Sequence, residues 1–263
     1  MSVTATAINT ADALVTPKAP ARPMPKQGRD WGRAFKALGR LLADKEDTAQ
    51  VFEIFRALGG GAGSKGYARL LTTAEGGRIA YERVELAERF MDRAWLESLP
   101  AGSVGAAYAE FTARENISAD GLIAESRRGV EDVPFDPRHP YFWFGRRIRD
   151  VHDIWHVLTG YGRDGLGELC LVTFSYPQTK SLGWALIALG GYTRAKGKAG
   201  RPYRAAIREA WGRGKKTDWL LGEDYVRLMS EPLESARARL GLTEPKAYLA
   251  IPADERNPLP MAA

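Results

Sequence analysis

The chain has 263 residues, of which 44% are hydrophobic and 27% are charged, a composition typical of a soluble globular protein. A chain of this length can bury a core without covalent cross-links, and its single cysteine, Cys170, excludes a disulfide framework and a four-thiolate zinc site. The formal net charge of +6 permits an acidic partner without demanding nucleic acid.

The first 30 residues are rich in proline, alanine and threonine and lack a sustained apolar period, which predicts a disordered tail. Its basic residues follow its apolar part, the reverse of the order in a secretory signal, so we expect no export. The longest apolar stretch, Leu182–Tyr192, has about half the length that spans a bilayer. With one cysteine, these features favour a cytoplasmic protein without a transmembrane helix.

Beyond the tail, apolar residues recur at intervals of three and four, which predicts amphipathic helices. The first two cover Trp31–Leu42 and Val51–Leu58, and a third follows the glycine cluster Gly59–Gly63 with Ser64 as its N-cap. Further helices are predicted at Arg78–Leu99, Ser103–Glu115, Asp120–Arg128, Tyr141–Thr159, Asp164–Phe174, Ser181–Arg194, Arg204–Trp211 and, with a break near Pro232, Trp219–Leu240. Strand-like alternation is almost absent.

The sequence therefore predicts an all-α protein with a single multi-helix domain. We expect this domain to cover residues 31–243, after a disordered proline-rich tail at residues 1–30. Residues 244–263 are then a C-terminal extension.

Residues 194–216 contain nine basic residues against Glu209 alone, a net charge of +8 in a chain whose total is +6. Such a segment predicts an anionic partner, and an anionic membrane surface is the expected one. The alternative is a solvated basic loop. Tyr203 and Trp211 could stack on bases, but no nucleic-acid motif accompanies them, so we expect no nucleic acid partner.

Two of the three histidines, His152 and His156, lie four residues apart in a predicted helix, so their rings project from one face about 40° apart. Asp153 borders the same face. Glu168 follows after eleven residues, through a turn with four glycines that lets the chain reverse. Two imidazoles with carboxylates suit zinc, and equally Fe(II) or Mn(II). Because ligands on one helix face cannot surround an ion, Glu168 is the expected fourth ligand.

The alternative is that both histidines are half-buried helix residues with local hydrogen bonds, and that Asp153 pairs with Arg149. Glu168 would then be a surface glutamate favoured by the helix dipole. Protease patterns do not fit, because a zincin needs glutamate where Asp153 stands and a metzincin needs a third histidine where Gly162 stands.

The segment RRIRDVHDIWHVLTGYGRDGLGE, residues 146–168, resembles the signature of the Coq-four (Coq4) family of ubiquinone (coenzyme Q) biosynthesis proteins. That family is marked by an arginine-rich stretch, an HDxxH segment, eleven residues and a glutamate. These positions are filled by His152, Asp153, His156 and Glu168. The similarity continues through Leu96–Phe111 and, more loosely, Ala210–Leu242, and covers most of residues 35–243.

The resemblance implies a helical, membrane-peripheral protein whose two histidines and two carboxylates bind a divalent metal, usually described as zinc. The role proposed for such proteins is loss of the carboxyl group at ring C1 of a polyprenylated 4-hydroxybenzoate-derived intermediate and its replacement by hydroxyl. An older view is a non-catalytic, lipid-binding scaffold for other quinone-biosynthesis enzymes. Expected partners are a prenylated quinone precursor, other ubiquinone-biosynthesis proteins and a second copy of the chain, on the inner membrane.

In the enzyme hypothesis the metal stabilises the negative charge that departing carbon dioxide leaves behind. The candidate catalytic residues are His152, Asp153, His156, Glu168 and Arg149, the last to hold the substrate carboxylate. An apolar slot for the lipid tail is expected within Leu169–Phe174 and Leu182–Leu189, although most of these side chains belong in a helical core in any case. Cys170 is expected to be a packing residue.

Overall fold

The computed structural model describes residues 28–44, 47–59, 61–115, 139–197 and 200–257, which contain α-helices, two short 3-10 helices and no β-strand. The prediction of an all-α single domain is confirmed. The predicted helix Asp120–Arg128 and all but the last three residues of the predicted tail lie outside the described residues.

The helices of the first half of the chain are α1 (Trp31–Ala43), α2 (Thr48–Leu58), α3 (Ala62–Leu70), α4 (Ala74–Glu82), α5 (Leu86–Met91), α6 (Arg93–Glu97) and α7 (Val104–Arg114). Those of the second half are α8 (Pro140–Asp150), α9 (His152–Thr159), α10 (Gly165–Thr179), α11 (Leu182–Arg194), α12 (Gly200–Lys216), α13 (Tyr225–Leu228), α14 (Leu233–Arg239) and α15 (Lys246–Leu249). The 3-10 helices are Leu220–Gly222 and Ala253–Glu255.

Several helices begin where a short polar side chain caps the first turn. Asp30, Thr73, Ser103 and Asp164 each accept a hydrogen bond from the backbone N–H three residues later. The predicted cap at Ser64 is wrong, because α3 begins two residues earlier and the Ser64 hydroxyl donates to the carbonyl of the preceding turn.

Three predicted helices are divided. Arg78–Leu99 becomes α4, α5 and α6, because Arg83 adopts a left-handed conformation with φ of 47° and Asp92 leaves the helical region to cap α6. Tyr141–Thr159 divides into α8 and α9 at Val151. Trp219–Leu240 becomes a 3-10 helix, α13 and α14.

The main hydrophobic core surrounds α9 and α10. Trp155, Leu166, Leu171 and Phe174 are at most 2% exposed, and the Trp155 indole N–H donates to the Tyr225 hydroxyl at 2.6 Å. A second apolar cluster joins α1, α2 and α11. Helix α10 thus lies between the core and α11. This position brings the first residues of α10 close to both α9 and α11.

Most of the basic segment lies in α12, which extends the predicted helix Arg204–Trp211 in both directions, so the alternative of a solvated basic loop is wrong. Arg213 is only 6% exposed and donates to the carbonyls of Thr159 and Thr243. Tyr203 is also buried, which prevents it from stacking on bases, whereas Trp211 is 48% exposed beneath the ammonium of Lys215. The segment therefore contributes both a structural arginine and an exposed basic face.

Residues 246–257 pack on the domain. Tyr248 is 1% exposed, and its hydroxyl donates to Asp164 and accepts from the backbone N–H of Gly162 at 3.1 Å. No helix in the described ranges combines the length and the apolar character that a membrane span requires.

Candidate metal centre

Helix α9 carries both candidate histidines into the interior. It follows α8 after a one-residue interruption at Val151 and ends at Gly160, whose φ of 78° suits a residue without a side chain. His156 is 1% exposed, and its Nδ1 lies 3.0 Å from the carbonyl oxygen of Tyr161. Because a carbonyl only accepts, Nδ1 carries a proton, and Nε2 is the ring nitrogen that faces Glu168.

The turn after α9 brings Glu168 back to these rings. The Asp164 carboxylate caps α10 by accepting from the N–H of Gly167 at 2.8 Å. At Gly167 the helix crosses the turn so closely that an added Cβ would lie 2.1 Å from the carbonyl oxygen of Gly162. Only glycine permits this approach, and Glu168 is the next residue along α10.

Glu168 Oε2 lies 3.5 Å from the Nε2 atom of His152 and 3.4 Å from the Nε2 atom of His156. Each of the three residues offers a ligand atom, and these atoms lie within 4.8 Å of one another. Among the described residues, this is the only such group of histidine, cysteine or acidic side chains.

Aromatic rings from two other helices enclose the histidines. The His156 ring stacks on Phe111 of α7 at a centroid separation of 5.4 Å, and the His152 ring is nearly parallel to Trp184 of α11 at 6.0 Å. The two imidazoles are perpendicular, with centroids 5.1 Å apart. This packing limits how the rings can turn, so both Nε2 atoms remain directed at Glu168.

The charges of the cluster are mutually stabilising. Burial opposes protonation of His152, but the adjacent Glu168 carboxylate favours it more strongly and raises the pKa of His152. Burial alone would raise the pKa of Glu168, yet its contacts with the two imidazoles hold that pKa well below its usual range. Glu168 is therefore an anion that faces two nitrogen atoms.

The donor set fits a divalent metal ion. The Nε2 atom of His156 is fully buried and makes no hydrogen bond, although it lies near Glu168. A buried polar atom without a partner costs about 1–3 kcal/mol, and a cation between the rings would satisfy this lone pair. Two imidazole nitrogens and a carboxylate oxygen with further positions open are a ligand set found with zinc and with non-haem iron.

Comparison with known proteins shows which family the chain belongs to. The sequence model described as "Coenzyme Q (ubiquinone) biosynthesis protein Coq4" matches residues 44–246. The chain belongs to the Coq4 family.

Relatives named as Coq4 proteins occur in animals and fungi. The bovine homologue is 31% identical over 175 residues, which are 65% of this chain and 62% of the bovine protein. The human homologue is 27% identical over 179 residues, 66% of this chain and 63% of the human protein. A protein from Pyrenophora tritici-repentis is 27% identical over 220 residues, 83% of this chain and 70% of the fungal protein. The chain thus spans less than two thirds of the mammalian relatives, and all three names say mitochondrial.

A solved structure from Nostoc punctiforme, whose name provisionally assigns it to ubiquinone biosynthesis, has the same fold. It matches with a TM-score of 0.55 and 21% identity and covers 81% of this chain and 99% of that chain. At this identity the likeness concerns the Coq4 fold alone.

Of the residues predicted from the Coq4 signature, the structure brings together His152, His156 and Glu168, but not Asp153. Consecutive helix residues point about 100° apart, so Asp153 cannot share the direction of its histidine neighbour. Asp153 is half-buried. The pKa of Tyr108 in α7 is raised mainly by the burial of that tyrosine and secondly by the charge of Asp153. The structure therefore shows a cluster of three residues, and Asp153 as a fourth ligand stays a prediction.

Arg149 also lies outside the Coq4 cluster. Its side chain is 16% exposed and contacts the carboxylate of Asp150 at 2.5 Å. Arg163 was not predicted, although it stands within the glycine-bearing turn. Its Nε lies 3.5 Å from Glu168 Oε1, and its side chain is 42% exposed. Among the described ion pairs, this guanidinium is the arginine partner of Glu168.

The expected lipid slot is mostly core. Leu171 and Phe174 are fully buried, and Leu186 and Ile187 are at most 8% exposed. Trp184 was also among the residues expected to line the slot, but its ring stacks on His152 of the cluster. Cys170 is fully buried, and burial raises the pKa of its thiol well above the ordinary value, in agreement with a packing role.

Proposed function

We propose that this protein acts in ubiquinone biosynthesis, and that its His152–His156–Glu168 cluster holds a divalent metal for decarboxylation at ring C1 of a polyprenylated 4-hydroxybenzoate-derived intermediate. The observation that carries the metal proposal is the buried, unbonded Nε2 of His156 beside Glu168. Membership of the Coq4 family supports the pathway. Zinc is the first candidate, with iron and manganese as alternatives.

In this reaction the bond between C1 and the carboxyl carbon breaks and carbon dioxide leaves. The electron pair stays on the ring until a proton, or a two-electron oxidant that delivers hydroxyl, takes it up. A divalent ion held by the cluster would polarise an oxygen of the substrate and stabilise this charge.

The surrounding side chains prepare the cluster for such a substrate. The hydrogen bond from His156 Nδ1 to the Tyr161 carbonyl fixes the tautomer and presents Nε2. Phe111 and Trp184 exclude water from the rings that they cover. Arg163, half-exposed beside Glu168, is the group that we expect to bind the substrate carboxylate, in place of Arg149.

We further propose peripheral attachment to the anionic inner membrane through α12. Arg201, Arg208, Lys215 and Lys216 are exposed there, and Trp211 is exposed on the face that carries Arg208 and Lys215. Basic side chains contribute about 1 kcal/mol each near an anionic surface, and tryptophan favours the membrane interface. The buried Arg213 does not contribute.

The decisive experiment combines metal analysis with complementation of a ubiquinone-deficient bacterium. His156→Ala is compared with His139→Ala, because His139 caps α8 away from the cluster. We expect the wild type and His139→Ala to hold about one metal per chain and to restore ubiquinone. His156→Ala should fold, lose the metal and accumulate a carboxylated ring intermediate.

Restoration of ubiquinone by a folded, metal-free His156→Ala variant would contradict the catalytic proposal. That result would support the older alternative, a lipid-binding scaffold that organises other enzymes of the pathway.

A further inference from the structure

A cavity of about 220 Å³ lies at the opposite end of α10 from Glu168. It is a partly open surface pocket lined by the C-terminal end of α2, one face of α3 and the junction between α10 and α11. Gln178 in its wall is ten residues from Glu168, which corresponds to about 15 Å along the helix. The cavity is therefore separate from the metal cluster.

Four basic side chains and no acidic one line this cavity. They are Arg29, Lys65, Arg69 and Lys180. Within the described residues, none of the four forms an ion pair. By contrast, Arg78, which is nearby in sequence, forms ion pairs with the carboxylates of Glu75, Glu82 and Asp224. Four like charges around one small space repel one another unless an anion joins them.

Arg69 is exposed and stacks on a tryptophan ring. Its guanidinium lies 4.3 Å from the ring centroid of Trp219, which leaves the edge of the group and its N–H donors available. Trp219 is fixed, because its indole N–H donates to the Gln178 carbonyl at 3.0 Å. A stacked guanidinium whose N–H donors remain available for hydrogen bonds is suited to bidentate binding of an oxyanion.

The wall beneath the cations is rigid. The side-chain amide of Gln178 is 4% exposed and donates to the carbonyls of Gly214 and Thr217, and its oxygen accepts from the N–H of Leu220. Ala62 of the first turn of α3 also lines the cavity, where the positive end of the helix dipole adds to the field. The floor of the pocket is thus formed before any ligand arrives, whereas the four basic side chains are exposed around it.

We propose that this cavity binds a phosphate group, either free or as a lipid headgroup. Its volume is below the roughly 300–1,000 Å³ of pockets for larger organic ligands, which matches a small anion better than an entire lipid. Phosphate offers several oxygens to one guanidinium and to the ammonium groups around it. Leu58, Leu182 and Trp219 leave room for a short apolar part beside that group.

The first test is calorimetric titration of the full chain with inorganic phosphate and with pyrophosphate at constant ionic strength. Arg69→Gln and Lys65→Gln should each weaken binding about tenfold or more, since each removes a charge-assisted contact. The matched control is Arg89→Gln, because Arg89 also stacks on a tryptophan, at 4.2 Å from Trp95, but pairs with Asp92 far from the cavity. This control should bind as the wild type does, and melting curves confirm that each variant folds.

The second arm identifies the source of the phosphate group. Flotation is measured with vesicles of phosphatidylcholine, with and without phosphatidic acid. Loss of phosphatidic-acid binding in Arg69→Gln, but not in Arg89→Gln, assigns a lipid headgroup, whereas an effect on soluble phosphate alone assigns a free ligand. Equal binding by the two variants in both arms, or no binding by the wild type in either, overturns the proposal.

Discussion

Substitution of alanine at Gly167 tests how the turn positions Glu168. The added Cβ would lie 2.1 Å from the carbonyl oxygen of Gly162, against at least 3.4 Å for an ordinary contact, so the two backbones must separate by about 1.3 Å. Both partners are backbone, and no side-chain rotation relieves the clash. Overpacking of this kind costs about 1–3 kcal/mol, which lowers the melting temperature by roughly 2–12 °C in a domain of this size.

The same displacement moves the first turn of α10, whose Glu168 carboxylate is 3.4–3.5 Å from the two imidazoles. We therefore expect Gly167→Ala to lose metal affinity as well as stability, measured by chelator competition and by thermal melting. The matched control is Gly77→Ala, because Gly77 lies within α4 with no atom within 4 Å of an added Cβ. Alanine there should stabilise the protein by about 0.5–1 kcal/mol. A Gly167→Ala protein with wild-type melting and metal affinity would refute the close crossing.

Three further outcomes follow from the described contacts. Glu168→Gln should weaken metal binding by roughly 100-fold or more in chelator competition, because it removes the only anionic ligand of the cluster. Trp155→Phe should cost about 1–3 kcal/mol in denaturant unfolding, since it leaves the buried Tyr225 hydroxyl without its 2.6 Å partner. Arg208→Glu combined with Lys215→Glu should reduce flotation with anionic vesicles by at least about 30-fold at low salt, because two contributions of about 1 kcal/mol are lost.

Each of these outcomes has a control. Glu97→Gln changes an exposed glutamate outside the cluster and should leave metal binding intact. The double substitution Trp155→Phe with Tyr225→Phe removes both members of the buried hydrogen bond and should recover part of the lost stability. Lys36→Glu changes an exposed charge on α1, and a loss of flotation as large as that of the α12 variant would contradict the assignment to that helix.

The sequence predicted the histidine–glutamate cluster because its determinants are local. A spacing of four residues places His152 and His156 together on any helix, and glycines that permit a reversal return Glu168 to them. Helix geometry alone leaves Asp153 open, since it lies about 100° from His152 but only about 60° from His156. Periodicity could not locate Trp184 or Phe111 at the rings, because their positions depend on how α11 and α7 pack.

The helix boundaries show the same division between local and tertiary causes. The start of α10 was predicted at Asp164, one residue before its first helical residue, and the short side chain of Asp164 caps the helix there. The left-handed residue Arg83, which ends α4, has no such local signal, because arginine has no special preference for that conformation. The cavity of the phosphate proposal brings together basic residues from three separated segments, Arg29, the α3 pair and Lys180, and no count along the chain reveals it.

The contact of Tyr248 with the turn before α10 has a consequence for biogenesis. Its hydroxyl donates to Asp164 and accepts from the backbone N–H of Gly162. A residue near the end of the described ranges therefore stabilises the loop that precedes Glu168. A ribosome synthesises this tyrosine about eighty residues after the turn that it supports, and folding of the earlier helices can begin before it emerges. The loop therefore gains this contact only after about eighty further residues have been synthesised, which places full assembly of the cluster after the formation of α9 and the start of α10.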